Sequence, residues 1–277
     1  MNSNQLFDQI RLKKSYLCIG LDSEFEKLPE FLHHNDYPQF DFNQAIILAT
    51  LKHAIAYKIN TAFYEARGAA GWKEMEDTVK FIRSVNDNIF IIADAKRGDI
   101  GNSTEMYARA FLDNLDFDAV TVSPYMGSDS ALSFLQRKGK WVILLAVTSN
   151  KGADDFQFQK MKGSDENLFE TVIKTSTRWG TPDNIMYVAG ATRPEMIGNI
   201  RKRIPDHFLL VPGIGTQGGS LSDVSQYGLN SKCGLLVNAG RSVIFADNSE
   251  NFATSACLKA SELQKEMEVI LKQQQLI

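Results

Sequence analysis

Short apolar, β-branched or aromatic runs recur along the chain, each followed by a longer segment whose apolar residues return at helical spacing. That is the pattern of repeated βα units. The runs are YLCIGL (16–21), AIAYKI (54–59), IFIIAD (89–94), AVTVS (119–123), WVILLA (141–146), IMYVA (185–189), FLLV (208–211) and GLLVN (234–238). Their near-continuous apolarity suits parallel strands, which are buried on both faces. Between them, segment 71–87 sets Trp72, Met75, Val79, Ile82 and Val85 near one face with charges on the other, as an amphipathic helix requires. Segments 103–115, 166–179 and 250–273 read as helices in the same way. Eight such units in 277 residues fit an α/β fold of the (β/α)8 TIM barrel type. A doubly wound open sheet accommodates the same alternation, and counting alone leaves it open.

No Pro/Gly/Ser-rich linker divides the chain, so residues 1–277 read as a single barrel domain with extra N-terminal and loop helices. The two loop-like stretches, 22–42 and 147–165, both follow strands, which in a barrel puts them at the active-site end. The KQQQ near the C-terminus reads as a fraying helix end.

Composition narrows the functional classes. Lys+Arg 30 against Asp+Glu 33, a net charge of -3, leaves no basic excess to neutralise a run of phosphates, which argues against a nucleic-acid partner. Three widely spaced cysteines, at 18, 233 and 257, do not form a disulfide framework and suit a reducing cytoplasm. The N-terminus lacks an apolar signal region, and apolar runs such as AIILATL (45–51) fall far short of a membrane span, so no membrane partner is expected. Histidines 33, 34, 53 and 207 have no HxxxH spacing or neighbouring Cys/Asp cluster, which favours metal-free chemistry.

The most informative segment is IFIIADAKRGDIGNST (89–104), where an apolar strand ends abruptly in Asp94, Lys96, Arg97 and Asp99. Alternation along a strand points Asp94 and Lys96 to the same side, into a barrel mouth. A lysine among carboxylates keeps its proton, so it can act as a general acid. The second strand ends with another cation, Lys58, and the first with Asp22. Near the C-terminus, Gly213, Gly215 and Gly218 have GxGxxG spacing. The motif follows the seventh strand instead of opening a dinucleotide unit, and no acidic residue ends the next strand, where Asn238 stands. A barrel uses both segments at once, binding phosphate with the loops after strands seven and eight, where Arg241 adds a bidentate fork.

DAKRGDIGNS (94–103) resembles the DxKxxDIxxT signature of the orotidine 5'-phosphate decarboxylase family, in its longer bacterial branch carrying DAKRGDI. GLD (20–22), YKIN (57–60), TVSPYMG (121–127), TSNKGADDFQ (148–157), VAGAT (188–192), PGIGTQGG (212–219) and NAGRS (238–242) follow in the family's order. The resemblance implies decarboxylation of orotidine 5'-phosphate to UMP and CO2, the final step of UMP synthesis, with no metal and no organic cofactor. It also implies a homodimer with shared sites. Lys58, Asp94, Lys96 and Asp99 would form an alternating charge array, Asp99 reaching the partner's site, and Lys96 would protonate C6. Asp22 and Lys58 would contact ribose hydroxyls, Ser149 the pyrimidine, and Gln217, Gly240 and Arg241 the phosphate, with 148–165 as a lid.

The chain departs from the family pattern at three positions. Ser103 stands for the signature's threonine and keeps a hydroxyl for substrate, Ser123 for an asparagine, and Lys151 for a proline. The competing readings are a Mg²⁺-dependent sugar-phosphate relative with the same DxKxxD motif, Lys96 as a Schiff-base nucleophile, and a non-catalytic phosphate-binding barrel. The flanking aspartates oppose the Schiff base, because they raise a lysine pKa that such chemistry needs depressed.

Overall fold

Each of the eight runs becomes a strand: β1 (Leu17–Gly20), β2 (Ala56–Asn60), β3 (Phe90–Arg97), β4 (Ala119–Val122), β5 (Trp141–Val147), β6 (Ile185–Ala189), β7 (Leu209–Pro212) and β8 (Leu235–Ala239). In this computed structural model, which describes residues 1–277 except 192–193 and 215–218, they pair in parallel in chain order. β8 returns to β1 through Leu17↔Val237 and Cys18↔Asn238, closing the barrel and excluding the open sheet.

The helices are α1 (Ser3–Lys13), α2 (Pro38–Thr50), α3 (Ala62–Glu65), α4 (Gly68–Val85), α5 (Gly101–Ala108), α6 (Asp129–Leu135), α7 (Ala153–Phe156), α8 (Leu168–Ser176), α9 (Pro194–Arg203), α10 (Leu221–Gly228), α11 (Arg241–Ile244) and α12 (Phe252–Gln273). The segment 71–87 lies in α4, where Met75, Val79 and Ile82 are buried and Trp72 and Val85 pack against the core. The segment 166–179 shortens to α8, whose start is fixed by a capping box of Asn167 and Glu170. The segment 103–115 begins at Gly101 and widens after Ala108 into a π-helical turn over Arg109–Asn114.

One expectation changes. The stretch 22–42 is loop as far as residue 37, carrying two 3-10 turns, Phe25–Lys27 and Glu30–Leu32, and its last residues open α2, with Pro38 at the first turn. Proline suits that position because its missing N–H has no intrahelical partner there. The run AIILATL hides the helix from a periodicity search because α2 packs against both α4 and α12 and so lacks a clean polar stripe.

The floor of the barrel is filled. Phe90, Trp141 and Phe208, from the starts of alternate strands, meet edge to face with ring centroids 5.9 and 6.4 Å apart, the layering that barrel interiors use. Below them α1 seals the N-terminal end: Trp141 Nε1 donates to Met1 O at 2.7 Å, and Ser3 N and Oγ donate to Asp183 Oδ1 at 3.0 and 2.5 Å. The opposite end, formed by the loops after the strands, is left to carry chemistry. No helix of the described residues is long and apolar enough to cross a membrane.

Candidate active site

Three neighbouring strands bring their ionisable ends together at the barrel mouth. Register pairs Gly20 of β1 with Lys58 of β2, and Asn60 with Asp94 of β3. Lys58 Nζ donates to Asp22 Oδ1 at 3.0 Å and to Asp94 Oδ2 at 3.2 Å, while Lys96 Nζ donates to Asp94 Oδ1 at 2.7 Å. Asp94 therefore lies between two ammonium groups.

Burial differs along this chain of charges, and that sets their electrostatics. The Lys58 side chain is 5% exposed and that of Asp94 11%, whereas Lys96 is 50% exposed. Burial works against the charge on Lys58, yet Asp22 and Asp94 outweigh it and lift its pKa above the ordinary lysine value. Burial likewise opposes ionisation of Asp94, but Lys58 and Lys96 together hold its carboxyl down at about 2. Lys58 is thus held as an ammonium. Below the array the Cys18 thiol is pushed up to about 12 by burial, so it adds no thiolate nucleophile at neutral pH.

Asp94 and Lys96 do meet, but not by simple strand alternation. The β3–β4 ladder shifts between Ala93 and Arg97, and Lys96 takes a left-handed conformation at φ 46. The displaced Lys96 N–H donates to Thr121 Oγ1 at 2.9 Å, and the Thr121 hydroxyl donates to Asp94 Oδ1 at 3.0 Å. Thr121 is not among the charged strand ends that mark this site in the sequence. The available signal was a hydroxyl in the middle of the otherwise apolar AVTV of β4.

Beyond Lys96 the chain turns outward. Arg97 pairs with Glu65, donates to Ala95 O at 2.9 Å and lies over the Tyr107 and Phe111 rings at 5.3 and 5.2 Å. This clamp fixes the start of the loop that carries Asp99. Asp99 Oδ1 accepts from Ile100 N at 2.8 Å, and Asp99 joins no ion pair among the described residues. Ser103 is exposed near the start of α5, while the adjacent Thr104 is buried, its hydroxyl unpaired among the described residues.

On the other side of the mouth β1 and β8 approach closely. A Cβ on Gly20 would stand 3.2 Å from Gly240 Cα and 3.3 Å from Asn238 Oδ1, so a larger residue would force the strand ends apart. Gly240 in turn lies beside Asp22, whose Oδ2 would be 3.7 Å from a Cβ there. Arg241 follows, exposed, as the first residue of α11. Asn238, at 6% exposure, has an unpaired Oδ1 among the described residues. Ser149, exposed, lies against Gly190 at the end of β6. The loop it opens is tied at its base by Gln157, which accepts from Thr148 N at 2.9 Å and donates to Thr148 Oγ1 at 2.8 Å. Gln217 lies outside the described residues.

The structure thus joins Asp22, Lys58, Asp94 and Lys96 directly, brings Gly240 beside them, and leaves Asp99, on the loop after β3, and Ser103, in α5, outside the ion pairs among the described residues. Among the described residues no group of three or more His, Cys, Asp or Glu side chains is arranged to hold a metal ion.

Residues 15–256 match the family model described as "Orotidine 5'-phosphate decarboxylase / HUMPS family". The chain is 55% identical over 273 residues to the orotidine 5'-phosphate decarboxylase of Phocaeicola vulgatus, covering 99% of this chain and 100% of the relative. It is 52% identical over 278 residues to that of Porphyromonas gingivalis, covering both in full. Among solved structures, Leishmania donovani OMP decarboxylase superposes with a TM-score of 0.79 at 33% identity, covering 95% of this chain and 99% of that one.

Proposed function

Because the chain belongs to the orotidine 5'-phosphate decarboxylase family, matching its decarboxylases along essentially its whole length, we infer that it converts orotidine 5'-phosphate to UMP and CO2 through Lys58, Asp94, Lys96 and Asp99. The observation that carries this reading is the Asp94 carboxylate held between the Lys58 and Lys96 ammonium groups at the barrel mouth.

The chemistry follows from charge. The bond from C6 to the carboxylate breaks, CO2 departs, and the electron pair stays on C6. Lys96 Nζ then delivers a proton to C6 and recovers one from water. A preorganised ammonium stabilises the developing carbanion more than the ground state, which is the condition for lowering the barrier. Asp94 keeps the ammonium in place, and Lys58, anchored by Asp22 and Asp94, keeps the carboxylate from moving.

The rest of the substrate spans the mouth. Asp22 and Lys58 hold the ribose hydroxyls, Ser149 and Ser103 contact the nucleotide, and Gln217, Gly240 and Arg241 receive the phosphate. Glycine at 240 gives the close backbone approach that a phosphate needs, and Arg241 supplies a charged fork. Binding of that remote phosphate supplies energy for orientation at C6, with the 148–165 loop closing as a lid. No residue in this scheme requires a metal. The test is UMP formation from orotidine 5'-phosphate after exhaustive treatment with EDTA. Undiminished turnover is expected, and turnover abolished by EDTA and restored by Mg²⁺ would favour the sugar-phosphate type of metal enzyme.

Asp99 acts across a homodimer in this reading. Support comes from its lack of an ion pair among the described residues and from the exposed Ile100, Tyr125 and Met126 on the adjoining loops after β3 and β4, an apolar surface of the kind that marks interfaces. The free thiols Cys18, Cys233 and Cys257 suit a cytoplasmic enzyme. Mixing Lys96→Ala with Asp99→Ala protein tests the sharing. In random heterodimers one of two sites is intact, so about a quarter of wild-type activity is expected from a 1:1 mixture by the two-fold symmetry. Activity no greater than that of the parents, after confirmed subunit exchange, would place Asp99 in its own protomer's site.

A further inference from the structure

Thr121 is 1% exposed on β4, and its hydroxyl joins the backbone of one site residue to the side chain of another. We propose that Thr121 is a positioning residue that fixes the Lys96 ammonium and the Asp94 carboxylate relative to one another. The proposal rests on the reading that these two groups carry the decarboxylation.

The hydrogen-bond directions are settled by chemistry. Lys96 N–H can only donate, so Thr121 Oγ1 accepts it at 2.9 Å, and the single hydroxyl proton goes to Asp94 Oδ1 at 3.0 Å. The register shift between Ala93 and Arg97 removes Lys96 from regular ladder pairing, and Thr121 supplies its N–H with a partner. It does so where the backbone is left-handed, at φ 46, a conformation that a residue with a Cβ keeps only when its surroundings impose it.

Fixing the backbone of Lys96 does not by itself fix its ammonium, because four flexible bonds intervene and the side chain is 50% exposed. The ammonium is anchored by Asp94 Oδ1, and the same oxygen takes the Thr121 proton. Thr121 therefore holds both ends of the Lys96 side chain, one through its N–H and the other through the carboxylate its Nζ contacts. Threonine is suited to this because a β-branched side chain has few χ1 options on a strand, so its hydroxyl points in one direction. Valine has the same shape without the hydroxyl. It would leave the part-buried Lys96 N–H without its Thr121 partner and Asp94 one donor short.

The test is steady-state kinetics of Thr121→Val and Thr121→Ser alongside wild type, with melting curves to establish folding. Misplacing a reacting group by about 1 Å can cost about a hundred-fold in rate. Thr121→Val is accordingly expected to lower kcat by about 10- to 100-fold while KM changes less than about three-fold. Thr121→Ser, which keeps the hydroxyl, is expected to recover most of that loss. Thr121→Ala, read in the same way, replaces the valine variant if that protein fails to fold. A hydroxyl-free variant with kcat within about three-fold of wild type overturns the proposal, as does a serine variant as slow as the valine one, or a loss confined to KM. Absence of turnover in the wild-type protein would instead overturn the functional reading, so the two failures are distinguishable.

Discussion

Lys96→Ala protein is expected to decarboxylate orotidine 5'-phosphate about 10⁴-fold or more slowly than wild type, with KM changed by less than about ten-fold. Two contributions are lost together: general-acid catalysis, usually worth about 10²–10⁴-fold, and preorganised electrostatic stabilisation, about 10²–10³-fold for a single donor. They are not additive, because one ammonium supplies both. KM is spared because the contacts proposed for the phosphate and ribose, at Asp22, Gln217, Gly240 and Arg241, do not involve Lys96. Fold is expected to survive, since Lys96 is half exposed and its N–H to Thr121 belongs to the backbone.

Asp94→Asn is expected to be nearly as damaging to catalysis, about 10³-fold in kcat by the same electrostatic argument, and more damaging to stability. Asparagine keeps the shape but removes the charge that faces Lys58 and Lys96. Lys58, 5% exposed, would retain Asp22 alone. Removing one partner of a buried pair typically costs about 3–5 kcal/mol because the remaining charge is left under-compensated. The melting temperature should fall accordingly. KM should not rise, because the lost charge faces an anionic substrate. The pH dependence of stability has a definite sign: a carboxyl depressed from 3.8 to about 2 contributes stability above its unfolded value that is lost as pH falls through the folded one. The asparagine protein should lack that contribution, so its stability deficit should narrow from pH 5 toward pH 2. A wild-type melting temperature for Asp94→Asn at pH 7 would show that the charge network does not hold Lys58 in the way described.

The strands were legible because parallel strands buried on both faces leave continuous apolar runs, and all eight lie where those runs are. α2 was not legible as a helix, since packing against both α4 and α12 replaced the polar stripe that periodicity relies on. At the site, the charged ends of β1, β2 and β3 stood out because ionisable residues closing buried strands need a reason. Strand alternation put Asp94 and Lys96 together for an incomplete reason: the backbone leaves strand geometry at Lys96, and a hydroxyl from β4 holds the turn. A threonine within an apolar strand reads as β-branched filling, so its hydrogen bonds appear only when β3 and β4 are placed side by side. The closure of β8 onto β1 is legible chiefly through glycine, because Gly20 and Gly240 mark where the two strand ends come close.

The central claim is that Lys96 passes a proton to and from C6 of the pyrimidine, with the Asp94–Lys58 pair holding it there. A general acid in one direction is a general base in the other, so the enzyme should exchange the C6 hydrogen of bound UMP for solvent deuterium. Proton NMR of UMP incubated with enzyme in D2O reads this directly, without the decarboxylation step. Loss of the C6 proton signal with wild type, and its persistence with Lys96→Ala at matched UMP occupancy, is the predicted result. Equal exchange by both proteins would contradict the account and move the proton transfer to another group.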